Sequence, residues 1–231
     1  VIIEDGNTCK DTINFTITEP TVLASTTSQT PVICNGEANG TGTVTPSGGT
    51  APYTYLWDAN ANNQTTSTVS NLIAGTYSIT ITDANNCTIT NQITISQPTA
   101  LALTMDKKDV NCFQESTGFA IALPSGGVGN YTYNWNTSPV QMTDTAFNLP
   151  VGTYSVTVAD ANNCVINNGI TLTEPALLDI NIVDTSRVTC FGTADGEAIT
   201  ATTGGTMPYS YLWATNDTTP TADIFRCHYR Y

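Results

Sequence analysis

The chain repeats itself every 78 residues, and this period limits its fold more than any single motif does. The block from Ala74 to Cys87 (AGTYSITITDANNC) returns as Val151 to Cys164 (VGTYSVTVADANNC). Val1 to Cys9 is the tail of the same block, with Asp5, Asn7 and Cys9 in register. A second block, Pro52 to Trp57 (PYTYLW), returns as Asn130 to Trp135 (NYTYNW) and as Pro208 to Trp213 (PYSYLW). Trp57, Trp135 and Trp213 are 78 apart, while Pro20, Pro98 and Pro175 are 78 and 77 apart. Solenoid units run about 20–50 residues, so this longer period describes a string of equal domains. The organisation reads as the end of a preceding repeat (1–20), complete repeats at 21–98 and 99–175, and an incomplete repeat at 176–231. Both ends cut through a repeat, so the chain reads as a piece of a longer array. Thr94-Ile95-Ser96-Gln97 runs through Pro98 almost directly into Leu101-Ala102-Leu103. Such short, Pro-marked junctions predict a stiff, extended rod.

Within a repeat the signal is period-two alternation. Tyr77, Ile79 and Ile81 face one way, and Thr76, Ser78, Thr80 and Thr82 the other, which is a half-buried strand with a hydroxyl outer face. Asp83-Ala84-Asn85-Asn86 is a turn, and Ile89 to Ile95 returns as a second alternating strand. Gly48-Gly49, Gly126-Gly127 and Gly204-Gly205 mark turns before the aromatic strand. No window carries helical spacing over the roughly 11 residues of an average helix. Six or seven short strands per repeat, with turn signals every 8–12 residues, predict an all-β chain of tandem immunoglobulin-like β-sandwiches of about 78 residues. One strand is left without an assigned buried face: Thr41, Thr43 and Thr45 stand where the next repeat has Phe119, Ile121 and Leu123. Tyr-x-Tyr-x-Trp has two readings, an aromatic face for stacking on sugars or the centre of the core. A small sandwich needs a large central residue, so the tryptophans are expected inside, with the tyrosine hydroxyls reaching solvent.

Composition narrows the function classes. Six Lys and Arg against 19 Asp and Glu leave a net charge of −13, which excludes phosphate-backbone binding and adhesion to an anionic membrane. No apolar run approaches the ~18 residues of a spanning helix, so no membrane insertion is expected. Polarity is carried instead by 44 Thr and 22 Asn. The only His lies in the final six residues, no nucleophile or metalloprotease motif is present, and no acidic doublet recurs, so the chain is not expected to be an enzyme.

The quoted pieces together resemble the SprB-type repeat of the large gliding-motility and cell-surface adhesins of Bacteroidota. The carrying residues are Cys34-Asn35-Gly36 with Gly40, Gly48-Gly49, the Pro52 to Trp57 block and the Gly75 to Cys87 block, and the likeness extends over residues 1 to 225. Gly-Thr-Tyr-Ser-Ile-Thr alone also resembles polycystic-kidney-disease-type domains. The resemblance implies an extracellular, surface-held protein of many tandem repeats, exported by a type IX secretion system. It also implies O-glycosylation at Asp-Thr sites, for which Thr12, Thr145 and Thr218 are the candidates. Residues 226–231 depart from the repeat, which resembles a frame error or fragment end more than a motif.

Six of the seven cysteines follow the repeat: Cys9, Cys87 and Cys164 after the Asn-rich turn, and Cys34, Cys112 and Cys190 near the first-strand turn. Cys227 belongs to no scheme. Regular usage outside Cys-x-x-Cys spacing predicts disulfides in an oxidising compartment. Two pairings stand: within a repeat (Cys34–Cys87 and Cys112–Cys164), or between neighbours (Cys34–Cys164). Calcium is the one candidate cofactor, at Asp83 and Asp160 beside their Asn pairs, although one Asp per site is few for an ion that takes 6–8 oxygens. The alternative is that Asp and Asn serve the turn itself. Three functions remain: a structural stalk, a polysaccharide-binding module acting by avidity, and an accessory array of a secreted hydrolase. Its expected partners are neighbouring repeats, surface polysaccharide and other cell-surface proteins.

Overall fold

A computed structural model describes residues 1–187, 189, 195–214 and 216–223. Cys190, Phe225 and the departing tail 226–231, with Cys227, lie outside the described residues. The chain divides into two compact units, residues 1–100 and 101–231.

The first unit opens with a hairpin, β1 (Ile2–Glu4) and β2 (Lys10–Thr12). A complete repeat follows: β3 (Ala24–Thr30), β4 (Gly40–Ser47), β5 (Thr54–Trp57), β6 (Thr68–Leu72), β7 (Gly75–Thr82) and β8 (Thr88–Ile95). These form two antiparallel three-stranded sheets, β3-β4-β6 and β5-β7-β8. The second unit repeats the plan with β9 (Ala102–Lys108), β10 (Gly118–Ser125), β11 (Thr132–Trp135), β12 (Thr145–Leu149), β13 (Gly152–Ala159) and β14 (Val165–Leu172), in sheets β9-β10-β12 and β11-β13-β14. It continues into one sheet of a third repeat, formed by β15 (Asp179–Ser186), β16 (Glu197–Thr203) and β17 (Thr221–Asp223). The only helix among the described residues is the 3-10 turn Ala59–Ala61.

Each complete repeat packs its two sheets around one tryptophan. Trp57 and Trp135 are 0% and 1% exposed, and each indole N–H donates to a backbone carbonyl, Thr66 at 2.8 Å and Thr143 at 2.9 Å. Ile79, Ile81 and Ile93 reach Trp57 from one sheet, with Val44 and Val69 from the other. Each such aliphatic side chain contributes roughly 1.5–3 kcal/mol on full burial. The strand that sequence left unassigned faces inward through its smallest residues. These are Gly40, Gly42 and Val44 on β4, and Gly118, Ala120 and Ala122 on β10. The reason is space: a Cβ on Gly42 would meet Trp57 at 3.4 Å, and one on Gly118 would lie 2.5 Å from Leu172 and 2.9 Å from the Leu149 carbonyl. Thr41 and Thr43 therefore face outward, where Thr41 bonds Thr30 (2.7 Å) and Thr43 bonds Thr68 (3.0 Å).

In the second repeat that outer face is apolar. Phe119 and Phe147 lie 6.3 Å apart at 50°, and Leu123 is 48% exposed. Phe147 stands on the edge strand β12, and its backbone N–H and C=O are both engaged by the Gln141 side-chain amide (2.8 and 3.0 Å).

Turns account for the asparagine content. Among the described residues, eight of the ten non-glycine residues with positive φ are Asn, including Asn62, Asn71, Asn86, Asn148 and Asn163. Asn tolerates this left-handed conformation better than other side chains. Only two ion pairs occur among the described residues, Lys10–Glu4 and Lys107–Asp109. No buried side-chain polar atom described here lacks a hydrogen-bond partner. Gly118→Val is expected to cost about 1–3 kcal/mol by overpacking, and Thr41→Val less than about 0.5 kcal/mol. Thermal unfolding checks both, and equal costs would contradict the assigned face.

Candidate functional site

The aspartates and the Gly-Gly turns singled out by sequence come together at the hairpin end of each complete repeat. Asp83 follows β7 and opens the turn to β8; Asp160 does the same between β13 and β14. Asp83 Oδ1 accepts the N–H groups of Asn85 (2.9 Å) and Cys87 (2.8 Å), while Oδ2 accepts Thr50 N–H (3.0 Å) from the turn before β5. Asp160 repeats the pattern with Asn162 and Cys164 (both 2.9 Å) and Val128 (2.9 Å). Asp5 accepts from Asn7 (2.8 Å) and Cys9 (3.0 Å). The carboxylate thus ties the hairpin to the Gly-Gly turn. That turn needs glycine: Gly48 and Gly49 have φ of 66° and 59°, and a Cβ on Gly48 would sit 2.0 Å from the Val22 carbonyl.

Burial is the largest influence on Asp83 and pushes its carboxyl up. The N–H groups of Cys87, Thr50 and Asn85 outweigh it and hold the group below the usual carboxylate range. Asp160 is held low chiefly by Val128 N–H, against burial, with help from Cys164 and Asn162. Three converging N–H dipoles suit an anion, and a cation at these oxygens would face the positive ends of all three. Among the described residues no group of three His, Cys, Asp or Glu comes together as a metal cluster.

The aromatic strand is spent on locks of its own. Tyr53 donates to Gly48 O (2.6 Å), Tyr131 to Gly126 O (2.7 Å) and Tyr209 to Gly204 O (2.5 Å). These hydroxyls close the Gly-Gly turn, because the turn leaves a carbonyl within reach. Two further locks were missed by sequence reasoning. Tyr77 donates to Ile73 O (2.9 Å) and Tyr154 to Pro150 O (3.0 Å), the tyrosine corner of immunoglobulin-like folds. Asp58 and Asn136, each next to its tryptophan, accept the N–H groups of Ser78 (2.7 Å) and Ser155 (2.8 Å). The recurrence of an Asp or Asn after each of these tryptophans was the signal for the second.

Cys34 and Cys164 are disulfide-bonded, whereas Cys9, Cys87 and Cys112 are exposed free thiols. This corrects the within-repeat pairing, Cys34–Cys87 and Cys112–Cys164. Gly36 N–H donates to Gln97 beyond the end of β8, which places the Cys34 turn there, while Cys87 precedes the start of that strand. Eight extended residues separate the two by about 26 Å, against the roughly 7 Å between Cα atoms that a disulfide spans. Of the candidate glycosylation sites, Thr12 and Thr218 are exposed; Thr145 is half-buried and its hydroxyl donates to Asp144 (3.0 Å). No helix among the described residues is long and apolar enough to cross a membrane.

Two facing three-stranded sheets, a central tryptophan and a tyrosine corner define each complete repeat as an immunoglobulin-like sandwich, and the chain as a tandem all-β repeat protein. The repeats are SprB repeats: the family model of the SprB repeat matches three times along the chain, at residues 26–62, 104–140 and 182–218. Among solved structures, a C-terminal 282-residue fragment of intimin, in complex with the intimin-binding domain of its translocated receptor, is 16% identical. It covers 71% of this chain and 67% of that one, with a TM-score of 0.39. A tetra-tandem repeat from the extending region of a large adhesion protein is 14% identical, covering 96% and 68% at a TM-score of 0.29. Domains 4–9 of the surface layer protein SbsC are 14% identical, covering 90% and 38% at 0.29. No curated protein matches the sequence. The SprB repeats mark a repetitive, adhesin-type segment of a cell-surface protein.

A carboxyl whose pKa is depressed on folding contributes stability that is present above its ordinary value near 3.9 and lost as pH falls through the lower folded value. Melting temperature should therefore drop on acidification below about pH 4. The double variant Asp83→Asn, Asp160→Asn should melt lower than the parent at pH 7, because an amide NH₂ can face the Thr50 or Val128 N–H, and the gap should close in acid. A gap independent of pH would remove the clamp from the account. A chelator should leave the melting temperature unchanged.

Proposed function

We propose that the chain is a non-catalytic spacer in a secreted surface adhesin, a stalk of SprB repeats that carries a binding region away from the cell. The observation that carries this reading is the use of the aromatic strand. In both complete repeats the tryptophan is buried, and in all three repeats the first tyrosine hydroxyl is bound to its own turn, so these side chains serve the fold rather than a sugar ring. Export by a type IX system comes with the SprB resemblance.

The second reading, a binding module, is supported by one feature: the outer face of β10 is Phe119, Ile121 and Leu123 where the preceding repeat has Thr41, Thr43 and Thr45. The two readings differ in solution. For the spacer, small-angle scattering of the oxidised chain should give an elongated particle, and isothermal titration with surface polysaccharide should show no heat of binding. Binding that is lost in Phe119→Thr, Phe147→Thr would reverse the choice. The exposed Thr12 and Thr218, rather than Thr145, are the positions where O-linked sugar would sit. Native protein should then weigh more than its sequence, and an intact mass equal to the sequence mass would remove the glycans.

A further inference from the structure

The outer face of the sheet β9-β10-β12 carries two neighbouring cross-strand rows of opposite character. Asp106 and Lys108 are exposed on β9 and alternate with the more buried Leu103, Met105 and Lys107. Phe119 and Ile121 alternate on β10 with the buried Gly118, Ala120 and Ala122. In the ladder Lys108 stands opposite Phe119, which lies 6.3 Å from Phe147 on β12. The next row is Asp106 opposite Ile121, which stands opposite Thr145. One row is thus cationic and aromatic, the other acidic and aliphatic. The ion pairs among the described residues are Lys10–Glu4 and Lys107–Asp109, so neither Asp106 nor Lys108 has a salt-bridge partner there. The same rows of the first repeat are neutral: Thr30 opposite Thr41, and Ser28 opposite Thr43, which stands opposite Thr68. There Thr30 bonds Thr41 and Thr43 bonds Thr68, so those hydroxyls satisfy one another.

We propose that this face docks a second copy of the chain, face to face, through its two complementary rows. A two-fold axis lying in the face between the rows exchanges them. It brings Lys108 onto Asp106, Phe119 onto Ile121 and Phe147 onto Thr145 of the other copy. The axis crosses β10 and β12 at Ala120 and Ala146, which are opposite each other and fully buried, so no large side chain meets its own image. Such isologous contacts are the commonest in homo-oligomers. Charge favours this occupant over an acidic sugar. An anion drawn to Lys108 would meet the Asp106 carboxylate on the same face, whereas a second copy answers both charges at once. Joining edge to edge is obstructed at Phe147, whose backbone N–H and C=O are taken by Gln141, which leaves the face. Six side chains a copy fall well short of the roughly 20–30 residues a side of a stable interface, so the pair is weak and forms at high concentration. The net charge of −13 opposes it further, and the two Lys–Asp contacts work against that repulsion. The docking goes beyond the spacer reading and holds equally for a stalk or a binder.

The test follows isoleucine methyl signals of the full chain by NMR as its concentration rises from micromolar to millimolar. The Ile121 signal should move with concentration, while those of Ile79 and Ile81, buried in the first repeat, stay fixed. Two single variants then probe the rows, Asp106→Lys and Lys108→Asp. Both positions are exposed, so the variants keep the fold, and the unchanged Ile79 and Ile81 signals check this. Each variant alone sets like charges against each other across the two-fold, and its Ile121 signal should no longer depend on concentration. An equal mixture of the two restores opposite charges at both contacts, and the dependence should return. An Ile121 signal that is constant in the parent overturns the proposal. So does a variant that associates like the parent, or a mixture that stays monomeric. An Ile121 signal that ignores concentration but moves on adding an oligogalacturonate would give the face to an acidic sugar instead.

Discussion

The hydrogen bonds that a single carboxylate accepts from two separate loops underlie the rest of each repeat. Asp83 and Asp160 gather two N–H groups from their own hairpin and one from the turn before the aromatic strand. Loops far apart in sequence are thereby fixed against each other. The tyrosine that closes the Gly-Gly turn depends on the turn being held, and the aromatic strand behind it carries the tryptophan inward. The hairpin cysteine hangs from the same carboxylate through its own N–H.

Much of this was legible in the sequence, and the failures have physical causes. Alternation located β7 and β8 because both faces of those strands are chemically distinct, and the recurring block carried the reading to β13. Alternation failed on β4 and β10 because their inward residues are Gly40, Gly42, Gly118, Ala120 and Ala122, which have little or no hydropathy of their own. Their burial is set by the bulk of a tryptophan on the opposite sheet, and a pattern confined to one strand does not report on its partner. The Asp turn was read correctly as a turn. Its reach to Thr50 and Val128, more than thirty residues away, is long-range and left no local mark. Disulfide pairing was open because periodicity fixes which cysteines are equivalent, not which are oxidised.

Sequence variation is partitioned in the same way. The clamp, the tyrosine lock and the buried tryptophan are the same in both complete repeats, while the outward face of the first sheet changes from threonine to phenylalanine, isoleucine and leucine. A fold whose stability rests on backbone-directed locks leaves its exposed faces free to diverge. That separation suits an adhesin-type array, where each repeat must fold alike and its surface can differ.

Gln141 has a consequence for life in a crowd. An edge strand ordinarily presents N–H and C=O groups that another strand can join, and tandem domains of similar sequence supply many such strands at high local concentration. The side-chain amide of Gln141 fills both positions at Phe147, donating and accepting as a neighbouring backbone would. An incoming chain finds the ladder already occupied at Phe147. One amide thereby acts as a stopper against sheet growth along the β12 edge, beside the exposed Phe147.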